Sequence, residues 1–67
     1  MNYFDQISLS TQKNIIHDVQ KMALHECSAD ITRAEAERVA RTLLRGKHDS
    51  SALYNVSTAR LRRLVGA

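Results

Sequence analysis

The chain has no proline, no tryptophan, one cysteine and two glycines, and its aromatic residues are limited to Tyr3, Phe4 and Tyr54. A single cysteine cannot close an internal disulfide, which excludes the small secreted scaffolds that depend on such bridges. With few aromatics, no alternating apolar run and no Asn-Gly or Asp-Gly turn, nothing reads as a strand or hairpin. No apolar run approaches the roughly 20 residues that cross a bilayer. The opening MNYFDQISLS lacks the basic start and apolar stretch of a secretory leader. The expectation is a cytoplasmic protein with no membrane association. There is no Gly-rich phosphate loop, no carboxylate pair in a credible cleft and no persuasive Ser-His-Asp order. A chain of 67 residues also has little room for a water-excluding pocket. The expected class is therefore not an enzyme, and no cofactor is implied. His17, His25, His48 and Cys27 fit none of the short paired spacings of zinc sites. The histidines read as surface residues, and Cys27 as a small apolar residue near a helix end.

What is present is a helical period in a chain that is 43% hydrophobic, enough to argue against wholesale disorder. The fold class is all-α, a compact bundle of three to four short helices in a single domain, residues 1–67. From Ser10 to about Cys27, Ile15, Ile16, Val19, Met22 and Ala23 share one stripe, with Ser10 or Ser8 placed to cap the start. Leu24 projects away from that stripe. A second helix follows Thr32, where Thr32-Arg33-Ala34-Glu35 matches a capping box. It ends before Gly46, which supplies the left-handed residue that closes many helices. Ala36, Val39, Ala40, Leu43 and Leu44 form its apolar face. Arg33, Glu37, Arg41 and Arg45 form an outward row in which Arg33–Glu37 and Glu37–Arg41 are spaced to pair. Residues 1–9 read in two ways. Either Asn2 caps a short turn and Tyr3, Phe4 and Ile7 cover one end of the core, or the segment frays.

Charge is distributed unevenly. Residues 1–32 carry two lysines against four carboxylates, a net of −2, whereas residues 33–67 carry eight basic side chains against three acidic ones, a net of +5. Such asymmetry points to a basic face with nucleic acid or an acidic protein as partner, or simply to solvated arginines on helix surfaces. Within the basic half, Asp49 to Tyr54 reads as a short helix capped by Asp49 or His48. Asn55-Val56-Ser57 reads as a tight turn with Asn55 at positive φ, and Thr58 to Val65 as a further helix capped by Ser57. Leu61, Leu64 and Val65 face inward there, and Ala59, Arg60, Arg62 and Arg63 outward.

The segment Lys47 to Val65 resembles the helix-turn-helix motif of bacterial and phage regulators. The resemblance rests on Tyr54-Asn55-Val56-Ser57 with Leu61 and Leu64. It implies that Ser51 is the small residue and Tyr54 the packing residue of the first motif helix. Asn55 then stands for the usual turn glycine, Val56 is buried, and Leu61 and Leu64 seat the second helix. Ser50 departs from the pattern, which favours an apolar residue there. The resemblance further implies that Ser57, Thr58, Ala59, Arg62 and Arg63 face the major groove, with Arg60, Arg41, Arg45 and Lys47 on the phosphate backbone. Two packed helices with a solvated Arg face account for the same pattern without DNA.

The leading expectation is a small DNA-binding transcriptional regulator of phage or plasmid type. It places a basic C-terminal helix in the major groove of double-stranded DNA and acts as a homodimer. The alternative is a small helical adaptor or inhibitor that binds and blocks a protein target. In that case the Arg face meets an acidic patch, and Leu24, Tyr3 and Phe4 provide the apolar dimer or partner contact.

Overall fold

The computed structural model describes residues 2–66. Met1 and Ala67, both inside the expected domain range of 1–67, lie outside the described residues. Among the described residues there are five helices, more than the three to four expected because the short α1 is also formed: α1 (Tyr3–Gln6), α2 (Leu9–Cys27), α3 (Arg33–Leu44), α4 (Ser51–Tyr54) and α5 (Thr58–Val65). No strand occurs among the described residues, and the all-α class stands. At 1.5 Å rise per residue, the 19 residues of α2 reach about 28 Å, close to the 30 Å long axis of the molecule. Helices α3 and α5 are laid against this spine, and α1 and α4 pack on α3.

The helix boundaries follow from local chemistry. Ser8, one of the two serines expected to cap α2, has the extended backbone of an N-cap, and its Oγ accepts from the Thr11 N–H at 3.2 Å. At the other end Ser28 adopts a left-handed φ of 52°. The Ser28 N–H reaches Leu24 O at 3.1 Å and the Ala29 N–H reaches Ala23 O at 3.0 Å, so carbonyls of the last turn find donors. The capping box of α3 is formed in both directions. The Glu35 N–H donates to Thr32 Oγ1 at 3.1 Å, and the Thr32 N–H donates to Glu35 Oε1 at 2.9 Å. The bond from the Thr32 backbone, with help from its hydroxyl, holds the Glu35 carboxyl below its usual pKa. Gly46, at φ 73°, turns the chain after α3, and the Lys47 N–H donates to Leu44 O at 3.1 Å.

Nine of the thirteen buried hydrophobic residues lie on α2 and α3: Ile15, Ile16, Val19 and Ala23 on one, Ala36, Val39, Ala40, Leu43 and Leu44 on the other. Met22, expected on the inward stripe, is half-buried at its edge. The small residues Ala23, Ala36 and Ala40 are fully buried, as where two helix backbones approach closely. Phe4, Ile31, Leu53 and Leu61 complete the core from the other elements.

Residues 3–6 are helical, with the Phe4 N–H donating to Asn2 Oδ1 at 2.8 Å. Gln12 Nε2 donates to the carbonyls of Phe4 at 2.9 Å and Ile7 at 3.3 Å, which ties the end of α1 to α2. Phe4 is fully buried and is therefore not the surface anchor that the adaptor reading assigned to it. An aromatic ring close to the chain start is equally consistent with either role in sequence, and burial against α3 decides between them. Tyr3 is half-buried.

Candidate nucleic-acid interface

The basic half of the chain resolves into groups with different roles. Arg41, expected on the DNA backbone, is already engaged. Its Nη1 bonds Asp5 of α1, its Nε bonds Glu37 Oε2 at 3.1 Å, and its guanidinium lies 4.9 Å from the centroid of the Phe4 ring. Asn2 Nδ2 also donates to the Arg41 carbonyl at 3.1 Å. Arg41 thus fastens α1 to α3, and its two carboxylates raise its pKa further above an already high value. Glu37 pairs forward with Arg41; the expected Arg33–Glu37 pair is not formed. A helix row at spacing four offers Glu37 two partners, and it bonds Arg41, which Asp5 of α1 also holds.

Helix α5 carries the free charge. Ser57 has an extended N-cap backbone, and its Oγ accepts from the Arg60 N–H at 3.2 Å. The helix ends at Gly66, whose φ of 76° permits its N–H to turn back to Arg62 O. Leu61 is fully buried, while Leu64 and Val65 are half-buried, so the inward face is narrow. Ala59, Arg60, Arg62 and Arg63 are exposed, and among the described residues none of these arginines pairs with a carboxylate. Arg38 of α3 joins them from the side, its Nη2 donating to Leu64 O at 3.3 Å. Its charge there suits the negative end of α5. Arg45 and Lys47 are exposed at the end of α3 and in the loop leading to α4.

The N-terminal end of α5 is built differently. Thr58 is half-buried, and its Oγ1 donates to Glu26 Oε1 of α2 at 2.9 Å rather than facing outward. Eight residues earlier on α2, Asp18 Oδ2 accepts from the Tyr54 hydroxyl at 2.6 Å. That bond, together with partial burial, pushes the Tyr54 pKa up to about 12. Tyr54 therefore does not act as a buried packing residue. Its ring is 57% exposed and leans on α2, where its polar tip finds an acceptor. Asn55 has φ −112° and ψ 10°, not the positive φ expected of a glycine substitute, and its Nδ2 donates to Ser51 O at 2.9 Å. The turn is made with right-handed backbone and a side-chain bond. Asp49 bonds the Ser51 N–H at 2.9 Å and its hydroxyl at 2.6 Å, which lowers the Asp49 pKa. The four-residue α4 buries Leu53 against α3, and α5 rests on both α2 and α3. Val56 is half-buried against the same core.

Two carboxylates thus clasp the α4–α5 turn from α2. They also wall an open cleft of about 300 Å³, to which Lys21, Met22 and His25 contribute. Leu24, at 52% exposure, is the exposed apolar residue nearest this end of α2 in sequence. Sequence reasoning missed Asp18, Glu26 and Arg38. The signal for the first two was their spacing of eight, which puts both on one side of a helix. Among the described residues no group of three or more His, Cys, Asp or Glu is placed to hold a metal, and no helix is long and apolar enough to cross a membrane. Comparison with protein-family models, curated proteins and solved structures finds no match for this chain.

Proposed function

We propose that the protein is a small DNA-binding regulator that presents α5 to the major groove of double-stranded DNA. The observation that carries this reading is the outer face of α5: Arg60, Arg62 and Arg63, exposed and without carboxylate partners among the described residues, with Arg38 alongside. A helix with its side chains is about 10–12 Å across, and the major groove of B-DNA, about 12 Å wide, admits one. Arginine suits both a bidentate contact with guanine and a phosphate contact. Arg45 and Lys47 add exposed charge in the same half of the chain. Arg41 is left out because its charge is already matched by Asp5 and Glu37. In this reading the protein is a cytoplasmic regulator of phage or plasmid type and acts as a homodimer, with Leu24, one of several exposed apolar residues, at the dimer contact.

The test is fluorescence anisotropy with a mixed-sequence DNA duplex across a salt series. Binding should weaken steeply with salt, and Arg62→Ala/Arg63→Ala should flatten the log–log slope by about 2. No binding at low salt, or an unchanged slope in a well-folded double variant, overturns the reading. The exposed Leu24 and Tyr54 favour a second reading, a helical adaptor or inhibitor that binds a protein with an acidic surface. That reading gains if DNA is not bound and a protein target is captured in a manner that depends on Leu24.

A further inference from the structure

Resting on the DNA reading above, we propose that Glu26 decides which part of α5 meets DNA, by keeping phosphates away from the helix's N-terminal end. The first turn of a helix normally attracts phosphate, because its free amides and any Ser or Thr hydroxyl there point outward. Here one donor of each kind is committed. Ser57 Oγ accepts the Arg60 N–H at 3.2 Å, and the Thr58 hydroxyl donates to Glu26 at 2.9 Å. The Glu26 carboxylate also sets a negative charge at the place where a phosphate would approach. Asp18, further back along α2, holds Tyr54 on the other side of the turn and adds a second negative charge. Lys21 and His25 line the same cleft, and the Lys21 charge offsets only one of the two carboxylates.

The cationic residues occupy other positions. Arg60, Arg62 and Arg63 lie on the outer face of α5, and Arg38 reaches its C-terminal end at Leu64. A phosphate is therefore drawn to the outer face and the C-terminal end and repelled from the side of the first turn that faces α2. Such placement by repulsion is a recognised source of specificity. It also reverses the expected role of Thr58: the residue orients α5 against α2 and does not read the groove.

The experiment compares Glu26→Gln with wild type and with Glu37→Gln, using the same mixed-sequence duplex and salt series. The amide of Glu26→Gln keeps a carbonyl oxygen for Thr58 while the charge is removed. Glu37→Gln makes the same change in net charge on the side of α3 that holds Arg41, so it controls for overall charge. Thermal melts establish that all three proteins are folded. Glu26→Gln should bind about threefold more tightly than wild type at low salt, with the gain shrinking as salt screens it. Glu37→Gln should gain less. Equal or weaker binding by Glu26→Gln relative to Glu37→Gln overturns the role of Glu26 and leaves the DNA reading intact. Absence of binding by all three proteins at low salt overturns the DNA reading and this role together.

Discussion

The α2–α3 pair and the α4–α5 end are built on different terms. The pair holds nine buried hydrophobic residues and two closed N-caps, one of them a capping box. The α4–α5 end buries only Leu53 and Leu61 completely, and two side-chain bonds from α2 locate its turn, Tyr54 to Asp18 and Thr58 to Glu26. The first region has enough inward apolar surface to define its own packing. The second depends on the first for its position, and in return keeps most of its side chains free. A small helical protein without disulfides can thus combine a dense core with an end that is mostly surface.

The comparison can be broken most forcefully in the core. Leu44→Ala and Leu61→Ala each remove a fully buried leucine, and each should lower the unfolding free energy by about 2–5 kcal/mol in a urea titration. If α5 is seated on α2 and α3 as described, Leu61→Ala will still unfold in one transition. Two separate transitions would show that α4–α5 is an independent appendage.

A smaller effect is expected at the cap of α3. Thr32→Ala should lose about 1 kcal/mol. Its acid limb should also change. The Glu35 pKa is lowered in the folded state, so its contribution is present above the ordinary carboxylate range and is lost as pH falls through the lowered value. Urea titrations from neutral to acid pH should therefore show a slightly shallower decline in Thr32→Ala, which loses the hydroxyl's share but keeps the backbone bond to Glu35, than in wild type.

The clasp offers a finer test. The folded-state pKa of Tyr54 is raised from 10.0 to about 12, so its contribution is intact below about pH 10 and is lost as pH climbs through about 12. Tyr54→Phe should melt close to wild type near neutrality, because the group is largely exposed and its bond is screened by water. The wild-type loss of melting temperature across that alkaline window should be reduced in the variant. Matching alkaline curves would remove the Asp18 bond as a contributor to the placement of the turn.

The all-α class, the two long helices, their caps and their apolar faces were legible because each depends on residues close in sequence. Ser8, Thr32 with Glu35, and Gly46 act within a few positions of themselves, and a stripe of period 3.6 identifies its own inward side. The candidate site was only partly legible. The arginines of α5 could be named as outward because Leu61, Leu64 and Val65 fixed the other face. Arg41 and Thr58 were assigned to DNA because their actual partners, Asp5 and Glu26, lie 36 and 32 residues away. Tyr54 leaves its expected packing role, and Phe4 takes the core position and not the surface-anchor position of its two readings, for the same reason. Whether an aromatic ring is core or surface depends on which helix it lands against, and no local pattern carries that information.

The narrow inward face of α5 has a consequence for how the protein can change over generations. Leu61 is the one fully buried side chain of the helix, and Ala59, Arg60, Arg62 and Arg63 all lie on its outside. Substitutions at such exposed positions usually alter stability by no more than about 0.5 kcal/mol. The residues that would choose a binding partner are therefore nearly uncoupled from those that keep the chain folded. A lineage could rewrite four of the eight positions of α5, and with them what the protein recognises, while inheriting the same scaffold beneath.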